Sequence, residues 1–197
     1  MISMQHDIQV DGSAFRLRPI TINDAELIIK LRTSQSDRTK YLHPISNDLD
    51  VQKKYLTAYF DRPNDYYFVL ERLKNNTAEG LISVYDVDPD LNRAEWGRWV
   101  LRDRSLGATE SCWLIYQVIF DKLNLEQAYC RTVAENHSVV SFHDSCGLNQ
   151  SDIISNHFEL NGQTCDAIEH TIFRDQWTDI DRNLNQKSQL IANRLNR

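Results

Sequence analysis

Three consecutive stretches decide the fold: AEWGRWVLRDRSLGATESCWLIYQVIF at residues 94–120, AYCRTVAEN at 128–136 and HSVVSFHDSCGL at 137–148. The first begins as an apolar strand and changes, near Gly107, to apolar side chains at helical spacing. The second has the content of a strand, and the third has that of a helix closed by Gly147. A strand, a loop, a helix, a strand and a helix in this order predict a crossover within a mixed α/β sheet.

The loop between the first strand and the first helix is a candidate anion site. A helix that opens directly after a strand leaves its first-turn N–H groups unpaired, and the helix dipole adds a partial positive charge there. Gly107 removes a Cβ from the path of such an anion, and Arg102 and Arg104 flank the turn. The alternative is an ordinary strand-to-helix turn with solvated arginines, because Arg-x-x-Gly is short and common. The amide donors would be those of Leu106, Gly107, Ala108 and Thr109.

The flanking sequence predicts a meander of antiparallel strands before this crossover and two closing strands after it. A hairpin at the start is followed by two short helices, and the polar tail after Trp177 is predicted to be helical. The fold class is therefore α/β (α+β), with a mixed, mostly antiparallel sheet of about seven strands, about four helices and a C-terminal helical tail. A single domain is expected over residues 1–197. The predicted strands are 8–10, 15–20, 66–73, 80–87, 94–101, 128–133, 153–160 and 165–173, and the two early helices begin near Asn23, as N-cap, and Leu49.

Composition excludes several classes of function. The 197 residues carry a formal net charge of −6, which argues against general nucleic-acid binding, since that needs a strong basic field. The amino terminus lacks a basic segment followed by an apolar one, and no apolar run reaches the roughly 18 residues of a membrane span. The four widely spaced cysteines form no CxxC pair. They are expected to be buried thiols in a reducing cytoplasm, without a disulfide or a metal site.

Taken together, the three stretches resemble the acyl-CoA-binding core of the GNAT superfamily of N-acyltransferases. Members carry Gln/Arg-x-x-Gly-x-Gly/Ala at the strand-to-helix junction, and residues 104–109 match it as RSLGAT, with Thr109 in place of the last small residue. The resemblance implies acyl-CoA as co-substrate, with its pyrophosphate on the loop amides. It also implies that backbone groups of Trp99, Val100 and Leu101 pair with pantetheine. One N–H of this strand would face the thioester carbonyl and stabilise an oxyanion.

The second helix carries the other half of the resemblance. In the superfamily an Asn at its start contacts pantetheine or CoA, and a Tyr seven residues later is the common general acid for the departing thiolate. This chain has Asn136 at the first position and His143 at the second, followed by Gly147-Leu148 where members have Gly-Phe. Histidine can fill the acid role, because its pKa lies near neutral pH and its N–H can donate. The alternative is an exposed helix histidine with no part in the chemistry.

The amine acceptor must lose a proton before it attacks. The resemblance makes Glu95 a candidate base, since some members place one on this strand. The alternative is a carboxylate on an exposed strand face. By the same analogy the acceptor pocket would be bordered by His43, Tyr85, Asp86 and His170.

The opening FRLRPITINDAELIIKLR, at residues 15–32, and the closing pair of strands extend the resemblance over nearly the whole chain. Within the superfamily, residues 99–111 and 129–148 look most like enzymes that acylate nucleotide-linked amino deoxysugars. The implied reaction is direct attack of the amine on an acetyl or short hydroxyacyl thioester, in a ternary complex with a dTDP- or UDP-linked sugar. The alternatives are an N-terminal (ribosomal) protein acetyltransferase, an antibiotic acetyltransferase, or an acyl-CoA sensor without turnover. No nucleic acid, membrane or metal is expected as a partner, whereas a homodimer is expected from how often such enzymes pair.

Overall fold

A mixed sheet and five α-helices make up the structure, a computed structural model that describes residues 4–34, 39–148 and 150–195. A 3₁₀ turn precedes the first helix, and the third helix continues as a π-helical turn. The helices are α1 (Ala25–Arg32), α2 (Leu49–Tyr59), α3 (Ala108–Gln117), α4 (His137–Ser145) and α5 (Arg174–Leu195). The strands are β1 (Val10–Asp11), β2 (Phe15–Pro19), β3 (Tyr66–Arg72), β4 (Thr77–Asp88), β5 (Arg93–Leu101), β6 (Gln127–Val133), β7 (Gln150–Leu160) and β8 (Gln163–Phe173).

The strands lie in the order β1-β2-β3-β4-β5-β6-β8-β7. Every neighbouring pair is antiparallel except β5 and β6, which run parallel because α3 connects them as a crossover. The predicted mixed, mostly antiparallel sheet is confirmed, and so are the four helices with a helical tail. Over the described residues there are eight strands instead of about seven. The shortest of them is β1, an edge strand of two residues that pairs with Arg16 and Leu17.

Both faces of the sheet are covered, so its central strands are buried on both sides. In β3, Phe68 and Leu70 join the core beneath α3 and α5, whereas Tyr67 and Val69 join the core beneath α1 and α2. This alternation follows from the two-residue repeat of a strand. The sheet is therefore the middle layer of three.

The pairing of β5 with β6 ends early. Arg93–Glu95 pair with Gln127–Tyr129, and among the described residues no further pairs follow, so the remaining parts of the two strands diverge. On its other side β5 carries a bulge between Gly97 and Val100, where Arg98 has a left-handed φ of 48°. The divergence opens a cleft between two parallel strands, and the bulge sets the direction of the backbone along its wall.

The first helical segment is capped earlier than the sequence pattern predicts. Thr21, and not Asn23, is the cap, because its N–H donates to the Asp24 carboxylate at 2.8 Å in a capping box. Arg18 orients that carboxylate with two hydrogen bonds of 2.9 and 2.8 Å. The predicted N-cap at Asn23 is wrong because the helical segment begins earlier, at Ile22, where Thr21 and Asp24 form the capping box.

Candidate active site

A cavity of about 250 Å³ lies in the cleft between the diverging ends of β5 and β6. Three arginines reach it, one each from α1, β5 and β6, and in the described part of the chain no Asp or Glu lines it. Aromatic rings form much of the remaining wall. The lining residues that matter for its chemistry are Arg32, Arg98, Arg131, Trp96, Trp99, Asn136 and His143.

Arg98 and Arg32 differ in whether a carboxylate neutralises their charge. Arg98 donates to both oxygens of Asp65, at 2.6 and 2.8 Å, and lies 4.6 Å from the centre of the Tyr85 ring. This bidentate pair helps to offset the left-handed backbone of Arg98, which costs about 1–2 kcal/mol. Arg32 donates to the carbonyl oxygen of His43 at 2.8 Å and pairs with no carboxylate among the described residues. Arg32 therefore has the charge that an anionic ligand could use.

Glu95, the candidate base, lies in a buried ion-pair network behind the cavity wall. Its Oε2 accepts a hydrogen bond from Arg131 at 2.9 Å, and its Oε1 accepts one from the Tyr85 hydroxyl at 3.1 Å. Arg131 also donates to Glu169 at 2.8 Å. Burial raises the pKa of Glu95, and the charge of Arg131 opposes that rise. Tyr85 and Arg131 line the cavity in front of this carboxylate, so Glu95 is not on an exposed strand face.

His143 lies in the cavity wall and is only 2% exposed, so it is not a surface histidine of α4. Its ring centre lies 5.3 Å from that of Trp96 and 5.2 Å from that of His170. Its Nδ1 is buried and has no hydrogen-bond partner among the described residues. Burial, helped by the neighbouring His170, lowers the pKa of His143 to about 3. The ring is therefore neutral at pH 7, and an imidazolium acid is not populated before substrate binds.

The structure separates the four residues expected at the border of the acceptor pocket. His43 and Tyr85 line the cavity. Asp86 is exposed in the irregular end of β4, with a left-handed φ of 50°. His170 is buried behind the cavity wall, with its Nε2 3.1 Å from Asp144 Oδ1. Only the first two are therefore among the residues that line the cavity.

The loop before α3 has the features of an anion site. Gly107 donates its N–H to Ser105 Oγ at 3.1 Å, while the N–H groups of Ala108 and Thr109 have no acceptor among the described residues. Arg104 has a left-handed φ of 59°, and its side chain is 94% exposed. This end of α3 thus combines unpaired donors with a nearby cation.

Gly107 is required here by packing. A Cβ at this position would lie 2.6 Å from Leu70 Cδ2 and 3.4 Å from Phe15 Cε1. The sequence analysis explained Gly107 by the room that an approaching anion needs. The structure shows a second reason, since a side chain at this position would displace residues of the core. The absence of a Cβ lets the start of α3 lie directly on the sheet.

Trp99, Val100 and Leu101 form the end of β5 that has no β6 partner among the described residues. Their backbone groups on that side border the cleft. The Trp99 indole donates to Ser111 Oγ at 3.1 Å, which ties this end of the strand to α3. Asn136, the residue before α4, lines the cavity. An extended ligand could therefore run from the loop, along β5, to the cavity.

Residues 15–149 match the family model described as the acetyltransferase (GNAT) domain. The chain belongs to the GNAT family. The match covers more than half of the chain, and the enzyme is therefore an acyl-CoA-dependent N-acyltransferase. A comparison with curated proteins found no match.

Solved structures share the GNAT fold. Apo FdhC, described as a nucleotide-linked sugar GNAT, superposes with a TM-score of 0.75 at 24% identity, covering 93% of this chain and 98% of its own. A mutant of the spermidine N-acetyltransferase SpeG from Vibrio cholerae gives 0.71 at 17% identity, covering 84% of this chain and 97% of its own. A GCN5-related N-acetyltransferase from Brucella melitensis gives 0.77 at 16% identity, covering 92% and 85%. At these identities the likeness establishes the fold alone.

Three further observations concern the chain as a whole. Within the described ranges, no helix is both long and apolar enough to cross a membrane. No three His, Cys, Asp or Glu side chains in the same ranges group as a metal ion would require. All four cysteines are free. Cys112, Cys130 and Cys146 are buried, as predicted, whereas Cys165 is only half-buried.

Sequence reasoning missed the three arginines of the cavity. Arg32, Arg98 and Arg131 lie on three different elements. All three fall within stretches that carry the GNAT resemblance, at residues 15–32, 94–120 and 128–136, but the resemblance assigned no role to any of them. Each is an isolated cation in its own segment, where a solvated position is the ordinary expectation. Only the packing of α1 and the divergence of β5 from β6 bring them to one cavity.

Proposed function

We propose that this enzyme transfers an acetyl or short hydroxyacyl group from CoA to the amino group of a nucleotide-linked amino deoxysugar, dTDP- or UDP-linked. The observation that carries the proposal is the cavity lining, which holds three arginines and no carboxylate among its described residues. A nucleotide sugar brings a diphosphate, which arginine binds with paired hydrogen bonds. A polyamine is itself a cation, and it would face Arg32, the cavity arginine that has no carboxylate partner among the described residues. FdhC, described as a nucleotide-linked sugar GNAT, has the same fold.

In this proposal the CoA pyrophosphate lies on the unpaired N–H groups of Ala108 and Thr109, beside Arg104. Pantetheine then follows the unpaired end of β5, with Asn136 across the cleft. The thioester ends in the cavity next to His143. The fit is supported by the unpaired donors at the loop and by the open strand edge between the loop and the cavity.

The proposed chemistry is direct attack of the neutral amine on the thioester carbonyl. A C–N bond forms, the carbonyl electrons move to oxygen, and they return as the C–S bond breaks. The ammonium centre formed by the attack must lose one proton, and the CoA thiolate must gain one. Neutral His143 can do both, because its ring accepts the ammonium proton and the resulting imidazolium donates it to the thiolate. The lowered pKa, about 3, makes the imidazolium a strong acid toward the thiolate and the neutral ring a weak base toward the ammonium.

Glu95 has a different role in this proposal. Arg131 and Tyr85 occupy its two oxygens, so it positions these two cavity residues and does not itself take the proton. The acceptor amine loses its first proton to water before it binds or as it binds. This assignment keeps the buried carboxylate paired with its cation throughout, which avoids the large penalty of an unpaired buried charge.

We also propose that residues 1–197 form one GNAT domain that acts in the cytoplasm. The family match covers residues 15–149, and α5 contributes Trp177 and Leu184 to the same core as α3. Four free thiols suit a reducing compartment.

The test is release of free thiol from acetyl-CoA in the presence of different amines. The acceptors are a dTDP-linked and a UDP-linked amino sugar, spermidine and a peptide with a free amino terminus. We expect turnover with a nucleotide-linked amino sugar, and no thiol release with the matched nucleotide sugar that carries a hydroxyl in place of the amine. A preference for spermidine or for the peptide would contradict the proposed acceptor. CoA binding without turnover on any amine would instead support the sensor alternative.

A further inference from the structure

Glu79 of β4 lies beneath the loop that joins β5 to α3. Its side chain is 0% exposed, and its carboxylate contacts three side chains. Arg102 donates to Oε1 at 2.8 Å, the Ser105 hydroxyl donates to Oε2 at 2.7 Å, and Arg72 forms an ion pair with Oε1 at 2.6 Å. The backbone carbonyl of Glu79 also accepts the N–H of Arg102 at 2.8 Å. One buried residue thus holds the loop at two separate positions.

Ser105 passes this restraint on to the start of α3. The same hydroxyl oxygen that donates to Glu79 accepts the N–H of Gly107 at 3.1 Å. Gly107 directly precedes the helix, so its position determines where the first unpaired N–H groups point. A chain of hydrogen bonds therefore runs from the Glu79 carboxylate to the amide of Gly107, the residue directly before Ala108 and Thr109.

The loop conformation needs such a restraint. Arg104 lies between the two tethered positions and has a left-handed φ of 59°, which a non-glycine residue adopts only when its surroundings impose it. A carboxylate beside an anion site also opposes the anion by its charge. Here two arginines balance that charge. The carboxylate therefore affects the loop by fixing its conformation and not by repelling the anion.

We infer that Glu79 is a positioning residue for acyl-CoA. It holds the loop in the conformation that presents the N–H groups of Ala108 and Thr109 to the pyrophosphate, and it acts through Arg102 and Ser105. The inference rests on the proposed location of the pyrophosphate at this loop. Glu79 would then contribute to CoA affinity although it is buried and lies far from the loop motif in the sequence.

The test measures the Kd of CoA and of pantetheine, which lacks the pyrophosphate, by intrinsic tryptophan fluorescence, since Trp96 and Trp99 line the cavity. Ser105→Ala cuts the tether to α3 and leaves the ion pairs of Glu79 intact, so it preserves the buried charge balance. Glu79→Gln weakens both tethers. We expect each change to raise the Kd of CoA about tenfold, the effect of losing a charge-assisted hydrogen bond, with the Kd of pantetheine unchanged.

Two controls accompany these variants. Ser105→Thr keeps the hydroxyl and should keep the affinity for CoA within about twofold of wild type. Glu71→Gln neutralises another buried carboxylate, which Arg18 binds at 2.9 Å away from the loop, and should also leave CoA binding unchanged.

Three results would overturn the inference: Ser105→Ala binding CoA like wild type, equal losses for CoA and pantetheine, or tighter CoA binding by Glu79→Gln. A wild-type protein that binds no CoA at all would instead defeat the proposed function.

Discussion

Replacing His143 with phenylalanine should make the stability of the protein less sensitive to acid. The ring is buried between Trp96 and His170, and burial lowers its pKa from 6.5 to about 3. In the unfolded chain a histidine takes up a proton below about pH 6.5, whereas the folded protein keeps this ring neutral. The stability contributed by neutral His143 is therefore present above pH 6.5 and is lost as the pH falls toward 3.

The size of the effect follows from proton linkage. One group that binds a proton only in the unfolded state changes the free energy of unfolding by about 1.4 kcal/mol per pH unit. Between about pH 7 and pH 5 the wild type should lose about 2 kcal/mol through His143 alone. Phenylalanine cannot titrate, and its ring suits a site that already packs against Trp99 and Phe142.

The assay is urea denaturation followed by circular dichroism at several pH values between about 7 and 5. As the pH falls over this range, the variant should gain about 2 kcal/mol of unfolding free energy relative to the wild type. His137→Gln, at an exposed position of the same helix, controls for the loss of a histidine as such. A difference that stays constant with pH would refute the reasoning, because it would mean that the folded protein can protonate this ring.

Three further outcomes are expected. Arg131→Leu leaves buried Glu95 without its cation and should lower the free energy of unfolding by about 3 kcal/mol. Adding Glu95→Gln to this variant should restore part of the lost stability in denaturation experiments. If the effects of the two substitutions on the free energy of unfolding simply add, the pair does not interact. Arg32→Ala should raise the Kd of a nucleotide-linked amino sugar about tenfold and leave that of CoA unchanged in calorimetry, so equal losses would count against Arg32 as an acceptor residue. His143→Phe should lower kcat about a hundredfold at unchanged Kd for CoA, and full turnover would remove His143 from the proton transfer.

The parts of the enzyme that follow from nearby residues were predictable. Strand, loop and helix succeed one another between residues 94 and 120, so the change from a strand pattern to a helical one is visible in one contiguous stretch. The candidate CoA loop is contiguous for the same reason. The cap of the first helical segment was missed although it is also local, because Thr21 and Asp24 form a capping box two residues before the predicted N-cap, Asn23.

The group of arginines at the cavity could not be predicted in this way. Arg32, Arg98 and Arg131 come from three elements and meet only when β5 and β6 diverge. The sequence showed that Glu95 and His143 stood at positions of interest, but it did not show their surroundings. Burial of Glu95 behind Tyr85 and Arg131 depends on which side chains other strands supply.

The sequence by itself determined the family resemblance, the order of elements and the position of the candidate anion-binding loop, because hydrophobic period, turn residues and motif spacing are local properties. Tertiary structure decided the charge state of His143, the pairing of Glu95 and the hold of Glu79 on the loop. Each of these depends on desolvation and on partners distant along the chain, and both arise only when the segments pack together. The chemistry of this GNAT enzyme is therefore set by long-range contacts on a framework that short-range patterns specify.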